Sequence, residues 1–291
     1  MQLRAALQAG LKLLLDQQVP SAGLAAELLL MHVAPCDRNY LYTHPEKDLP
    51  AEVTERYFQL IAERATGKPT QYIIGHQEFW GLDFEVTPDV LIPRPETEHV
   101  VETVLDLIAR RNLGKDASLH IVDVGTGSGC IILALASELP NAQLFGTDIS
   151  PAALAVAKRN AAGLGKDERV QFVEADLLSC FRQDDYSGTF DFVVSNPPYV
   201  SENEIDMVQR EVRDFEPRLA WGGLERGEDI YRRLFAQALK VLRPGGSVTV
   251  EIGYNKRDAV TALLGSGWSD VEVRPDLAGI PRVVSASSNR R

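Results

Sequence analysis

Leucines recur at helical spacing along the first stretch of the chain: Leu3, Leu7, Leu11, Leu14 and Leu15 share one face. Ser21 stands where it would cap a second helix carrying Leu24, Leu28 and Met31, which Pro35 follows. Pro50 opens a third, with Val53, Tyr57, Leu60 and Ile61 on its face and Gly67 past its end. The pattern predicts a small all-helical bundle over residues 1–67, serving either packing or substrate docking. At Pro69 the period changes. From Trp80 onward apolar and polar residues alternate, with Trp80, Leu82, Phe84 and Val86 on one side, which predicts a half-buried strand. Tyr72-Ile73-Ile74-Gly75 is expected to pair with it in a hairpin linker over residues 68–93.

Residues 94–291 read differently again. A helix starts at Pro95 and runs through Val100, Val101, Val104, Leu105 and Ile108. From about residue 117 strands alternate with helices. Near-continuous apolar runs predict strands at 121–124, 143–147, 170–173, 190–195 and 247–252, with helices at 131–139, 151–162 and 229–242 between them. Ser150-Pro151 supplies a cap and first turn, and Pro244-Gly245-Gly246 a turn into the fifth strand. Two more strands are expected at 271–273 and 282–286, and fraying at 287–291. The fold class is therefore α/β: a Rossmann-like domain with a mostly parallel sheet, behind an all-helical front end.

Composition narrows the function classes. The 291 residues are 45% hydrophobic and 24% charged, as in an ordinary soluble protein, and the net charge is −11. No basic run exceeds two residues, so direct nucleic-acid binding is not expected. Cys36, Cys130 and Cys180 are odd in number and far apart, and the five histidines are scattered, so no metal is expected. The cysteine usage, an amphipathic rather than signal-like start and the lack of a long apolar run predict a cytoplasmic protein with no membrane span.

The chemistry gathers around the fourth of the alternating strands. Phe190-Asp191-Phe192-Val193-Val194-Ser195 runs into Asn196-Pro197-Pro198-Tyr199. Two prolines cannot continue a central strand, so Asn196 is left at the carboxyl end of the sheet, where open α/β sheets bind ligands. Asn196 offers an acceptor and a donor on one planar group, so it is expected to touch both the cofactor and the substrate. With the carbonyl of Pro197 it can grip a planar amide or amino nitrogen from two sides, and Tyr199 supplies a flat face. Upstream, Asp123-Val124-Gly125-Thr126-Gly127-Ser128-Gly129 follows the first of these strands and opens a helix. Its G-x-G-x-G spacing misses the dinucleotide fingerprint and suits a ligand without a pyrophosphate. Asp148 ends the next strand, placed for two ribose hydroxyls. Asp176 follows the third, placed for an adenine edge, with Leu177 to pack on the ring. The turn, the acidic residue and the Asn-Pro-Pro-Tyr stretch, in this order, predict S-adenosylmethionine as cofactor.

These stretches resemble the HemK-type glutamine N5-methyltransferases of peptide-chain release factors, a family of class I methyltransferases. The resemblance rests on residues 91–98 (Leu-Ile-Pro-Arg-Pro-Glu-Thr-Glu), Asp123 to Gly129, Asn196 to Tyr199, Glu216-Pro217 with Gly222-Gly223, Glu251-Ile252-Gly253, and Asp276-Leu277-Ala278-Gly279 with Arg282. It implies a seven-stranded methyltransferase domain behind a helical docking domain. It also implies release factors as partners, their Gly-Gly-Gln glutamine as substrate, and a substrate site built from Asn196, Pro197, Pro198 and Tyr199. Such proteins commonly carry a glutamine three residues after Glu-Ile-Gly; here Asn255 and Lys256 stand in that area. Arg94 could line the substrate site, whereas Glu96 and Glu98 could simply complement a helix dipole. The rival readings are a ribosomal-protein glutamine methyltransferase, a DNA adenine N6-methyltransferase, and a cofactor-binding partner module without catalysis.

Overall fold

The computed structural model describes residues 1–181, 186–222 and 227–289. The chain divides into two compact units, one of residues 1–76 with 209–215, the other of residues 77–208 with 216–291.

The first unit is built from α1 (Leu3–Asp16), α2 (Ala22–Val33), α3 (Arg38–Thr43), α4 (Ala51–Ala65) and α5 (Thr70–Ile74). Its apolar stripes bury Leu3, Leu14, Leu29, Leu30, Tyr57 and Ile61 against one another. Gly10 lets α1 approach α4 closely: a β-carbon there would lie 2.1 Å from the Tyr57 hydroxyl. Arg64, at 3% exposure, donates to the Lys68 carbonyl at 3.0 Å and pairs with Glu211 on the short helix Arg210–Phe215. Three helices were expected and five form. Asp37 caps α3 by accepting from Tyr40 N–H at 2.7 Å. Tyr72-Ile73-Ile74-Gly75 is not a strand: α5 takes Tyr72 to Ile74, and Gly75 ends it at φ 82°. Ser21 does not cap α2 with its side chain, because its backbone sits in the left-handed region at φ 51°.

In the second unit a hairpin comes first, β1 (His76–Phe79) and β2 (Leu82–Glu85). Trp80 is its turn rather than part of a strand. Trp80 and Gly81 both have positive φ, 57° and 70°, as a two-residue hairpin of matching twist requires. Phe79 and Phe84 are buried in the same core as Val100, Ile121, Leu133 and Phe192. Glu98 accepts the Trp80 N–H at 2.8 Å, so it holds this turn as well as opening α6 (Glu98–Arg110).

The large sheet has seven strands: β3 (His120–Val124), β4 (Gln143–Asp148), β5 (Val170–Glu174), β6 (Phe190–Ser195), β7 (Leu242–Glu251), β8 (Trp268–Pro275) and β9 (Pro281–Ser288). Their order is β5-β4-β3-β6-β7-β9-β8, parallel except for β9, which runs antiparallel to β7 and β8. Strand alternation feeds two cores. Ile121, Phe192 and Val194 pack on one face with α6 and α7 (Cys130–Glu138). Val122, Val124 and Val193 pack on the other with the helix Gly227–Val241. The Pro244-Gly245-Gly246 turn lies inside β7, where pairing with β6 shifts register. β9 continues to Ser288 and Asn289 donates to the Trp268 carbonyl at 3.0 Å, so 287–289 do not fray; residues 290–291 lie outside the described part, as does Gly223. Among the described residues no helix is long and apolar enough to cross a membrane.

Candidate functional site

Register sets the site. Val124 of β3 is paired with Ser195 of β6 on one side and Thr147 of β4 on the other. Gly125, Asn196 and Asp148 therefore leave three neighbouring strands at one level, at the carboxyl edge. Asp148 is paired with Glu174 of β5, which brings Asp176 to the same edge. The sheet order reverses between β3 and β6, so the loops part there and leave a crevice. It is a cavity of about 320 Å³, within the size range of small-molecule sites.

The glycine turn is latched to β4: Gly125 and Thr126 both donate to the Thr147 carbonyl, at 2.8 and 2.9 Å. Gly125, Gly127 and Gly129 all have positive φ, from 55° to 84°. A β-carbon at Gly125 or Gly127 would meet no atom within 4 Å, so the space before the turn is open to a ligand; one at Gly129 would meet Leu133 at 3.1 Å. Gly125, Thr126, Gly127 and Ser128 line the cavity, and Gly129 lies behind it as the start of α7.

Three carboxylates surround the turn. Asp148 accepts the Gly127 N–H on Oδ2 and the Ser150 N–H on Oδ1, both at 2.9 Å, which fixes its plane while each oxygen keeps a lone pair. Burial pushes its carboxyl above the ordinary range, against those two backbone bonds. Asp123 is wholly buried and accepts from Thr126 Oγ1 at 2.7 Å; burial raises its carboxyl to about 7, with Thr126 and the Ile132 backbone acting in the opposite sense. Asp176 is half exposed and paired with Arg233 at 2.5 Å. Leu177 lines the cavity beside it with a left-handed backbone, φ 55°. An open glycine cradle and buried acceptors with spare lone pairs suit a cationic nucleoside-like ligand.

Arg94, Thr97, Asn196 and Pro198 also line the cavity. Arg94 is held by Glu216 at 2.5 Å, and Glu216, with its side chain 1% exposed, also accepts the Ile92 N–H. Asn196 donates from Nδ2 to Thr97 Oγ1 at 3.1 Å. Thr97 donates to Glu251 Oε2 at 2.5 Å, and Tyr199 donates to Glu251 Oε1 at 3.3 Å. Pro197 and Tyr199 are not on the cavity wall. The Tyr199 ring lies against Gly253, where a β-carbon would fall 2.8 Å from it, and a β-carbon at Gly227 would fall 2.1 Å from the Tyr199 carbonyl.

Thr97, Glu251, Gly253 and Gly227 were not predicted as site residues. Thr97, Glu251 and Gly253 lie within stretches that carried the family resemblance, which was the available signal. Lys256, at the departure from the family pattern, pairs with Glu204 at 2.7 Å. Among the described residues no cluster of His, Cys, Asp or Glu could hold a metal ion.

Comparison with known proteins gives concordant matches. The profile of the PrmC N-terminal domain matches residues 5–75 and that of a methyltransferase domain residues 115–264. The Release factor glutamine methyltransferase of Koribacter versatilis is 50% identical over 98% of both chains. That of Chlorobaculum tepidum is 42% identical over 93% of this chain and 92% of its own. Among solved structures, the N-terminal domain of human METTL16 in complex with SAH has a TM-score of 0.55 at 18% identity, covering 90% of this chain and 94% of that one. The last likeness is one of fold.

Proposed function

The chain belongs to the release factor glutamine methyltransferases, and we propose that it moves a methyl group from S-adenosylmethionine to N5 of the glutamine in the Gly-Gly-Gln motif of peptide-chain release factors. One observation carries the reading: Asn196 and the Gly125–Gly127 turn face a single cavity from neighbouring strands.

The Gly125–Ser128 turn and Asp148 would hold the donor, with Asp148 accepting the ribose hydroxyls and Leu177 packing on the base. When bound, S-adenosylmethionine supplies an electrophilic methyl group on a sulfonium that leaves as a neutral thioether. An amide nitrogen is a weak nucleophile because its lone pair is delocalised, so the residues must supply position. Asn196 Oδ1 and the carbonyl of Pro197, which is off the cavity wall itself but stands between the wall residues Asn196 and Pro198, would accept the two amide hydrogens and aim the nitrogen's lone pair at the methyl carbon. As the N–C bond forms, the amide nitrogen becomes cationic, and it then loses one proton to water. Positioning of this kind is worth roughly 7–11 kcal/mol of a barrier. Pro198 and Arg94 bound the substrate's side of the cavity.

We assign docking to the helical residues 1–67, chemistry to residues 94–291, and the joint to the hairpin region 68–93. Over residues 1–85 there are 7 Lys/Arg against 11 Asp/Glu, net −4, a surface that favours a protein partner over nucleic acid. The three cysteines are free, in keeping with a reducing compartment such as the cytoplasm. The test is transfer of labelled methyl from S-adenosylmethionine to a release factor, a ribosomal protein and DNA in parallel. Labelling of the release factor alone, abolished by replacing its Gly-Gly-Gln glutamine, is expected. Labelling of the ribosomal protein or of DNA in its place would overturn the reading.

A further inference from the structure

We propose that Thr97 and Glu251 are positioning residues that set which way round the Asn196 carboxamide faces, turning its carbonyl oxygen to the cavity as the acceptor for the substrate N–H. The proposal rests on the methyl-transfer reading above and adds to it how the clamp acquires its polarity.

A carboxamide is nearly symmetric in shape, and a half-turn exchanges its donor for its acceptor. Something outside Asn196 must therefore choose. The choice is made by a chain of single hydrogens. An ionised carboxylate has only lone pairs, so Thr97 must give its one hydroxyl hydrogen to Glu251 Oε2, 2.5 Å away. The Thr97 oxygen then has only lone pairs for Asn196, which must turn Nδ2 toward it, at 3.1 Å. Among the described residues no hydrogen bond reaches Asn196 Oδ1, and Asn196 lines the cavity. Tyr199 gives its hydrogen to Glu251 Oε1, so both carboxylate oxygens are held.

Thr97 and Glu251 are each 2% exposed, so water has little access to either bond. The three groups come from separate elements, the 3-10 turn Pro95–Thr97, the end of β7 and the residue after β6, so the contacts are not incidental to one helix or hairpin. An acceptor presented this way suits a nitrogen that carries hydrogens and repels a carboxylate, which separates glutamine from glutamate.

Glu251 is also faced by Arg282 on β9, by Glu96 in the same 3-10 turn, by Cys130 at the start of α7, and by Tyr231, whose hydroxyl donates to the Glu251 carbonyl at 2.8 Å. Burial pushes its carboxyl up to about 7, although Thr97 and Arg282 act in the opposite sense. Below that pH Glu251 carries a proton of its own to donate to Thr97, and the polarity of the chain is no longer enforced.

The experiment compares the full-length wild type with Thr97→Val, Thr97→Ser and Glu251→Gln by two readouts. In single-turnover methylation of a release factor, Thr97→Val should slow transfer by roughly 10²-fold, the scale of one preorganised hydrogen bond, at unchanged affinity for the donor. Thr97→Ser, which keeps the hydroxyl, should restore most of the rate. In NMR of the ligand-free protein, the Asn196 side-chain NH₂ signals, identified by their loss in Asn196→Ala, should shift as pH crosses about 7. In Thr97→Val and in Glu251→Gln they should stay still. Equal rates for Thr97→Val and Thr97→Ser, or NH₂ signals that titrate alike in wild type and Thr97→Val, would overturn the proposal. A wild type that leaves the release factor unmethylated while its NH₂ signals respond as described would sink the substrate reading and leave the polarity chain standing.

Discussion

Both units pair some buried charge with charge, as Glu216 with Arg94 in the second, but they differ in what else they bury. In the helical unit Arg64 and Glu27 are nearly inaccessible, and each is met by a group of opposite charge, Glu211 and Arg38. These pairs tie one helix to the next. In the catalytic unit Asp123 and Glu251 are equally buried, but their direct partners are hydroxyls, Thr126 in one case and Thr97 with Tyr199 in the other. Hydroxyls orient without neutralising. Burial therefore pushes both carboxyls to about 7, and each sits beneath a loop of the cavity. Buried charge met by charge holds shape, whereas buried charge met by hydroxyls sets direction at some expense in stability.

The largest expected effect falls on donor binding. Asp148→Ala removes the acceptor proposed for two ribose hydroxyls, and charge-assisted bonds are worth about 1.5–3 kcal/mol each. Affinity for S-adenosylmethionine should fall at least tenfold by calorimetric titration, with the fold retained. An unchanged dissociation constant would remove Asp148 from the donor site.

Next comes the pH dependence of stability. Glu251 binds its proton more tightly folded than unfolded, with a carboxyl near 7 against an ordinary 4.5. Its contribution is fully present below about 4.5 and lost as pH rises through about 7, a difference of about 3 kcal/mol. Urea denaturation should find the wild type more stable at pH 5 than at pH 8, and Glu251→Gln less sensitive to that change. Equal sensitivity in the two proteins would contradict the assignment.

The helical unit should respond to packing instead. Gly10→Ala places a methyl group against the Tyr57 hydroxyl, and Tyr57 is 0% exposed and cannot swing away. Overpacking costs about 1–3 kcal/mol, offset by up to about 1 from helix propensity. A net loss of stability with unchanged donor affinity is expected; a loss of donor affinity would show that the two units are not independent in this respect.

The smallest contrast is between two serines that look alike in sequence. Ser150 accepts the Ala153 N–H at 3.2 Å and opens α8 (Pro151–Gly163), so Ser150→Ala should lower stability by about 1 kcal/mol. Ser21 makes no such bond, and Ser21→Ala should change thermal stability little. Equal losses for both would mean that the capping contact contributes nothing.

Ser21 also shows where sequence reading stops. A serine before an apolar run is a good start signal, but whether its hydroxyl reaches back depends on φ, which the loop before it decides. The alternating strands were legible because apolar runs between glycine and proline breaks have few other uses. The cradle at Gly125–Gly129 and the stop at Asn196-Pro197 were legible because those residues restrict the backbone. Trp80 was misassigned to a strand because its alternation with Leu82 and Phe84 is real, while the left-handed turn it makes with Gly81 leaves no mark in polarity. Glu251 stood out only as part of the family resemblance, because its contact with Thr97, 154 residues away, leaves no local pattern. They meet only in the fold, where the turn Pro95–Thr97 reaches the end of β7.

The role we assign to Asn196 is chiefly to orient the target amide and only secondarily to hold the donor. Single-turnover methylation of a release factor by Asn196→Ala, with donor affinity measured in parallel, tests it most directly. Transfer should be slower by about 10²–10³-fold at nearly unchanged donor affinity. A rate close to wild type, or a slowing wholly explained by weaker donor binding, would contradict it.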